Sequence, residues 1–228
     1  IGVFYLDLID KLAERTSQMH SILGSDTKDP LFFPESFTIM YQHSIYQTVR
    51  TEIKKTLEIL NDNQKNINII DHEKFSKLVI DKERLLMAYI KKIISKKFNG
   101  QRIRNHGEFN LKQILFTGKD FVFIDFDGIS IRPFSERKIK RSCLREISFL
   151  FRSFHYVVYS VLINEANLKS VNISKFYIFA EIWYEIITKT FLNSYFKNLE
   201  SSLLLPESEK DRLLILNILL LNKFFSSV

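Results

Sequence analysis

The chain has 228 residues, 46% of them hydrophobic, which is enough for one sizeable domain with a buried core. Its 6 Gly and 4 Pro are too few turn-formers for an all-β fold, and its single cysteine, Cys143, excludes an internal disulfide and fits a reducing, cytoplasmic setting. The formal charge of +7 would suit nucleic acid, but acids are interleaved with the bases throughout and no RNA-recognition signature is present, so no nucleic-acid partner is expected.

The sequence opens Ile1-Gly2-Val3 and enters an amphipathic pattern at once, which reads as a piece of a longer polypeptide. Leu6, Ile9, Leu12, Met19 and Ile22 recur at helical spacing and predict a helix over 4–23, closed by Gly24. Pro30 and Pro34 punctuate a loop, after which helices are expected over 36–60 and 71–97. Residues 114–116 and 121–126 are short β-prone runs joined by Thr117-Gly118-Lys119-Asp120, a hairpin signal. The helical period returns over 144–164, 174–199 and 207–225. The apolar run 213–225 is interrupted by Asn217, Asn222 and Lys223 and falls short of the roughly 20 residues that span a bilayer, so no membrane partner is expected. The expected architecture is mainly α with one short β-hairpin set into its middle.

The chemistry concentrates around that hairpin. Before it stands His106-Gly107-Glu108-Phe109-Asn110-Leu111-Lys112-Gln113, and its second strand runs into Asp125-Phe126-Asp127-Gly128. Phosphoryl transfer needs a carboxylate to orient the attacking hydroxyl and hard oxygen ligands to hold magnesium against the phosphates. Glu108, Gln113 and Asp125 are of those types. In protein kinases a catalytic-loop carboxylate is followed five places later by an amide ligand, then a hairpin, then a metal-binding Asp beside Phe. Glu108, Gln113 and Asp125-Phe126 repeat that order.

The run Arg102-Ile103-Arg104-Asn105-His106-Gly107-Glu108-Phe109-Asn110-Leu111-Lys112-Gln113 resembles the catalytic loop of maltokinases. Phe121 to Gly128, the segment Arg132-Pro133-Phe134-Ser135-Glu136-Arg137, and Leu144-Arg145-Glu146-Ile147 are similar to the motifs that follow it, and Arg15-Thr16 to His20 to an earlier one. The resemblance implies the C-terminal catalytic lobe of a protein-kinase-like fold over 1–228, without the N-terminal nucleotide lobe, with a catalytic loop at 102–113 and a metal-binding hairpin at 114–128. It also implies ATP-dependent phosphorylation of maltose, or a related sugar, to maltose 1-phosphate, possible fusion to or partnership with trehalose synthase, and a Mg2+ requirement. On it, Glu108 is the catalytic base, where the family has Asp. Gln113 and Asp125 are the metal ligands, and His106, Lys112 and Asp127 contact the ATP.

Two other readings remain beside it. Glu108 and Asn110, where the family has Asp and His, would also suit a catalytically impaired kinase-like module that serves as an interaction or regulatory domain. The basic run 132–145 reads as an ordered loop beside the site or as a solvated face, and the aromatics of the last helices, Trp183 and Tyr195 among them, as core before sugar platform.

Overall fold

The computed structural model describes residues 2–25, 28–63, 72–169, 174–199 and 202–226. Among the described residues seven α-helices carry the fold: α1 (Val3–Leu23), α2 (Ile39–Asp62), α3 (His72–Ile90), the single turn α4 (Phe134–Arg137), α5 (Leu144–Lys169), α6 (Ser174–Asn198) and α7 (Glu209–Phe225). Two antiparallel pairs accompany them, β1 (Glu35–Ser36) with β2 (Gln101–Arg102) and β3 (Ile114–Phe116) with β4 (Phe121–Phe123). No helix among the described residues is long and apolar enough to cross a membrane.

Packing follows the apolar spacing. In α2, Tyr41, Ile45, Val49, Ile53 and Leu57 recur every four residues, form one buried stripe and face α7, whose Ile215, Leu216, Ile218 and Leu219 are buried in turn. The Thr38 hydroxyl starts α2 by accepting the Tyr41 N–H at 3.2 Å. At the centre, α5 packs on both α6 and α7 through Ile147, Leu150, Phe151 and Phe154, and α1 packs along α6. The first turn of α5 thereby sits in the middle of the core, where it can fix whatever loop touches it.

The first strand pair, β1 with β2, was not expected: strands of two residues are too short to show an alternating pattern. It closes the long connection between α1 and α2 onto the chain entering the loop at 103–113, with Glu35 bridging Arg102 at 2.7 Å and Lys140 at 3.1 Å. Beyond it, Ile103 and Arg141 exchange both backbone hydrogen bonds, at 2.9 and 3.0 Å, and so tie that loop to the segment before α5. The expected helix over 71–97 stops at Ile90 and tightens into a 3-10 turn, Lys91–Ile94. Its C-terminal carbonyls are met from α2, because Gln42 Nε2–H donates to Ile93 O and Lys96 O.

The predicted hairpin forms in register, Ile114 opposite Phe123 and Phe116 opposite Phe121. Its second strand ends at Phe123, short of the expected 126. Ile124 N–H still bonds Gln113 O at 3.0 Å, but Asp125 then turns into the left-handed region, at φ 64°, and leaves the ladder. A bidentate fork from Arg15 of α1 grips the turn, with Nε on Asp120 Oδ1 at 2.8 Å and Nη2 on Asp120 Oδ2 at 2.7 Å. With the Phe121 N–H also on it, the Asp120 carboxyl is lowered to about 2, chiefly by Arg15.

Candidate active site

The loop before β3 is held by its even-handed use of buried anchors. Phe109 is fully buried and meets Phe123 edge-on, with ring centroids 5.0 Å apart. His106 is also fully buried: its Nε2–H donates to Ile124 O at 2.8 Å, and its ring lies 4.5 Å from that of Phe126. Asn110 works locally, accepting Lys112 N–H at 2.9 Å and donating to Glu108 O at 3.1 Å, so it caps the 3-10 turn Leu111–Gln113 and clamps both sides of the loop. Between His106 and Phe109 the half-buried Glu108 is presented with its carboxylate making no hydrogen bond or salt bridge among the described residues.

Gly107 explains why a glycine precedes that acid. It sits at φ 98°, and a Cβ there would stand 2.8 Å from the Cα of Gly128. The loop carrying Glu108 and the post-hairpin loop touch backbone to backbone at this point, which no side chain would permit.

The Gly107 N–H is itself held from below. It donates at 2.8 Å to Oε1 of Glu146, in the first turn of α5, and the other oxygen, Oε2, accepts from His20 Nε2–H at 2.9 Å. On the other side of the ring, His20 Nδ1 stands 2.7 Å from the Tyr195 hydroxyl. All three side chains are buried. Burial alone would raise the Glu146 carboxyl, but the His20 hydrogen bond and charge and the Gly107 N–H outweigh it, so it is lowered from the usual 4.5. Being depressed, it stabilises the fold fully above that usual value and less as pH falls through its lower native one. Glu146→Gln should therefore cost about 3 kcal/mol at neutral pH, as expected for breaking a buried charged pair. The deficit should narrow as the pH of chemical denaturation drops below about 4.5; a deficit independent of pH would mean that the carboxylate carries no charge in the fold.

Across the hairpin, Gln113 Nε2 donates to Asp125 Oδ2 at 3.1 Å, which places the two candidate metal ligands side by side. Asp125 is exposed and has the one positive φ outside glycine among the described residues, the kind of backbone strain that persists where the surroundings enforce it for a function. Rotation of the Gln113 amide puts a second hard oxygen beside the carboxylate. Two such donors suit magnesium, which keeps waters and substrate phosphates as its other ligands. Among the described residues no group of three or more His, Cys, Asp or Glu could hold a metal without such help. Asp127 and Lys112 are exposed on the same stretch of chain, and Asp127 lends its carbonyl to Arg137 Nη1 at 3.2 Å.

Cations ring the loop. Glu108 lies close enough to Lys223 of α7 for its charge to favour the protonated amine, although burial, named first, and the nearby Arg145, Arg152 and Arg132 lower the Lys223 pKa on balance. Arg145 and Lys223 lie over the same Phe149 ring, 4.4 and 4.6 Å from its centroid. Cys143 is no competing nucleophile, because burial first of all pushes its thiol up to about 11. A cavity of about 490 Å³ between α3, α5, α6 and α7 is apolar, lined by Leu86, Tyr89, Leu221 and Phe224 among others, and none of the candidate site residues lines it.

The structure thus brings Gln113 and Asp125 together and sets Glu108 on a clamped loop before them. It buries His106 and engages both ring nitrogens within the protein, Nδ1 facing Glu108 N–H at 3.4 Å, so that this residue shapes the loop. Of the anchors, Glu146 and His20 fall in segments quoted from the sequence; His20 reads there as a packed or capping residue and Tyr195 as core, but their joint clamp on Gly107 was not expected.

A clamped loop, a hairpin and an Asp in the left-handed region at the hairpin's end are set on a helical body that is similar to a kinase fold. Among solved structures, the chain is similar to glucosamine kinase in complex with glucosamine, ADP and inorganic phosphate, with a TM-score of 0.71 and 17% identity over 97% of this chain and 49% of that one. It is similar also to glucosamine kinase in crystal form B, with a TM-score of 0.68 and 16% identity over 96% of this chain and 46% of the other. At such identities the likeness is one of fold, and the chain spans about half the length of those structures. No family model matches the sequence.

Proposed function

We propose that the chain is the catalytic lobe of an ATP-dependent sugar kinase. The observation that carries this reading is the Asp125–Gln113 contact across the hairpin, following a loop that presents Glu108 and is locked to α5 through Gly107 and Glu146. Glu108 orients the acceptor hydroxyl and takes its proton as the oxygen attacks the γ-phosphate. Asp125 and Gln113 hold the magnesium ion, whose chemistry is to neutralise charge on the phosphates. Lys112 and Asp127 lie where they can meet the nucleotide, and a preceding nucleotide lobe would complete the clamp.

Maltose, named by the sequence motifs, is the first acceptor to assay, and glucosamine, bound in the similar glucosamine kinase structure, is the second. The same motifs suggest trehalose synthase as a fused domain or partner. Asn110 favours an active enzyme over a retired module, since its cap keeps the loop ordered without the histidine of the family. The full-length gene product is expected to release ADP only when a sugar acceptor is present, followed in a coupled assay with magnesium. ADP release indifferent to every sugar offered would sink the reading.

A further inference from the structure

Beside the candidate loop lies a chamber of about 360 Å³ between α2, α7 and the chain around α4, and Arg132, Arg141 and Arg145 all contribute to its wall. Glu136, exposed, is the one acid lining it among the described residues, and it makes no salt bridge to any of the three. None of the arginine side chains has a hydrogen bond or ion pair among the described residues. Their charges repel: the Arg145 pKa is lowered to about 10, first by burial and then by Arg141 and Arg132, with Tyr41 and Glu146 offsetting only part. Glu146 is already engaged with His20 and Gly107. Two half-buried guanidinium groups, Arg141 and Arg145, with the exposed Arg132 beside them and no carboxylate pairing them among the described residues, are an unfavourable arrangement that an oxyanion would relieve.

The chamber adjoins the loop that carries the candidate site. A narrower cleft bounded by Gly107 and Gly128 shares Arg132, Arg141 and Arg145 with it, and Gly107 immediately precedes Glu108. The wall also offers hydroxyl and amide groups suited to a sugar: Ser44, Thr48 and Asn222, whose Oδ1 is buried without a partner. The volume suits one or two sugar rings rather than a polymer.

Resting on the sugar-kinase reading, we propose that the acceptor is an acidic sugar, bearing a carboxylate or a phosphate monoester, and that Arg132, Arg141 and Arg145 hold that group in the chamber while a hydroxyl of the same molecule meets Glu108. Neutral maltose fills the sugar portion and leaves the arginines unpaired. Planar guanidinium forks read a carboxylate or phosphate in two-point fashion, so the site should discriminate by charge more than by ring size.

The test is calorimetric binding and phosphotransfer kinetics on the full-length gene product with glucose, glucuronate, glucose 6-phosphate and maltose, with inorganic phosphate as competitor. Glucuronate or glucose 6-phosphate should bind at least 10-fold more tightly than glucose, the expected worth of a charge-assisted bidentate contact, and which of them leads identifies carboxylate or phosphate as the group held. Inorganic phosphate should displace the preferred one. Arg145→Gln should shrink the acidic-over-neutral preference at least 10-fold, seen in KM more than kcat, and Arg132→Gln, an exposed and structurally undemanding change, should shrink it in the same direction. Equal binding of glucose and glucuronate, displacement by phosphate of neither acid, or a preference indifferent to both substitutions would overturn the proposal and leave the kinase reading intact. Tight, arginine-dependent binding of the acids with no ATP-dependent turnover of any of them would instead overturn the kinase reading, and with it the acceptor role proposed for the chamber.

Discussion

Replacing Glu108 with Gln in the full-length gene product is expected to lower kcat for acceptor phosphorylation by roughly 2 to 4 orders of magnitude, the usual worth of a positioned general base. The side chain is half-buried, unbonded within the protein and flanked by two buried anchors, His106 and Phe109, so the amide should keep the loop in place and remove only the ability to take a proton. Little change in thermal stability should accompany the loss. Glu108→Asp separates charge from reach: it keeps the acid but withdraws it by about 1.5 Å, one carbon–carbon bond. The clamp on Gly107 prevents the backbone from following. A loss of about 100-fold is expected for the Asp variant, as for other misplacements of about 1 Å. Full activity in Glu108→Gln, measured as acceptor-dependent ADP release, would remove Glu108 from the role of base.

The site was more legible in the sequence than the machinery that holds it. Glu108, Gln113 and Asp125 are close in sequence and joined by a hairpin, so residue type and local spacing were enough to propose them as a set, and the Gln113–Asp125 contact follows from the hairpin. The clamp is long-range: His20, Glu146 and Tyr195 come from three different helices, and their pairing depends on how α1 and α6 pack against the start of α5. A histidine on a helical face reads the same whether it packs passively or completes a buried network. The arginine chamber was invisible for the same reason. Arg132, Arg141 and Arg145 look like a charged run along the chain, and only the approach of α2 and α7 turns that run into a wall. Helix existence followed the apolar period, while ends moved where side chains from elsewhere met the terminal carbonyls, as Gln42 does after Ile90.

Asp125 tests the metal side of the site, and Asn is the informative replacement there. Asn tolerates the left-handed backbone that Asp125 adopts at φ 64° and can still accept the Gln113 N–H, so fold and hairpin should survive with little change in stability. What it loses is the negative charge that would hold magnesium. Asp125→Asn is therefore expected to reduce ATP-dependent turnover by about 100- to 1000-fold, the scale of losing one preorganised electrostatic contact to the transferring group, and to shift the magnesium dependence to higher concentrations. Asp125→Ala removes the short polar side chain that makes the left-handed backbone tolerable, at a cost of about 1 kcal/mol, so it should lose both activity and some stability. The two variants together separate the roles. If Asn keeps the wild-type magnesium titration while Ala loses stability, Asp125 is a turn residue and the metal is held elsewhere. If Asn shifts that titration without unfolding, the strained backbone is explained by what the carboxylate must reach.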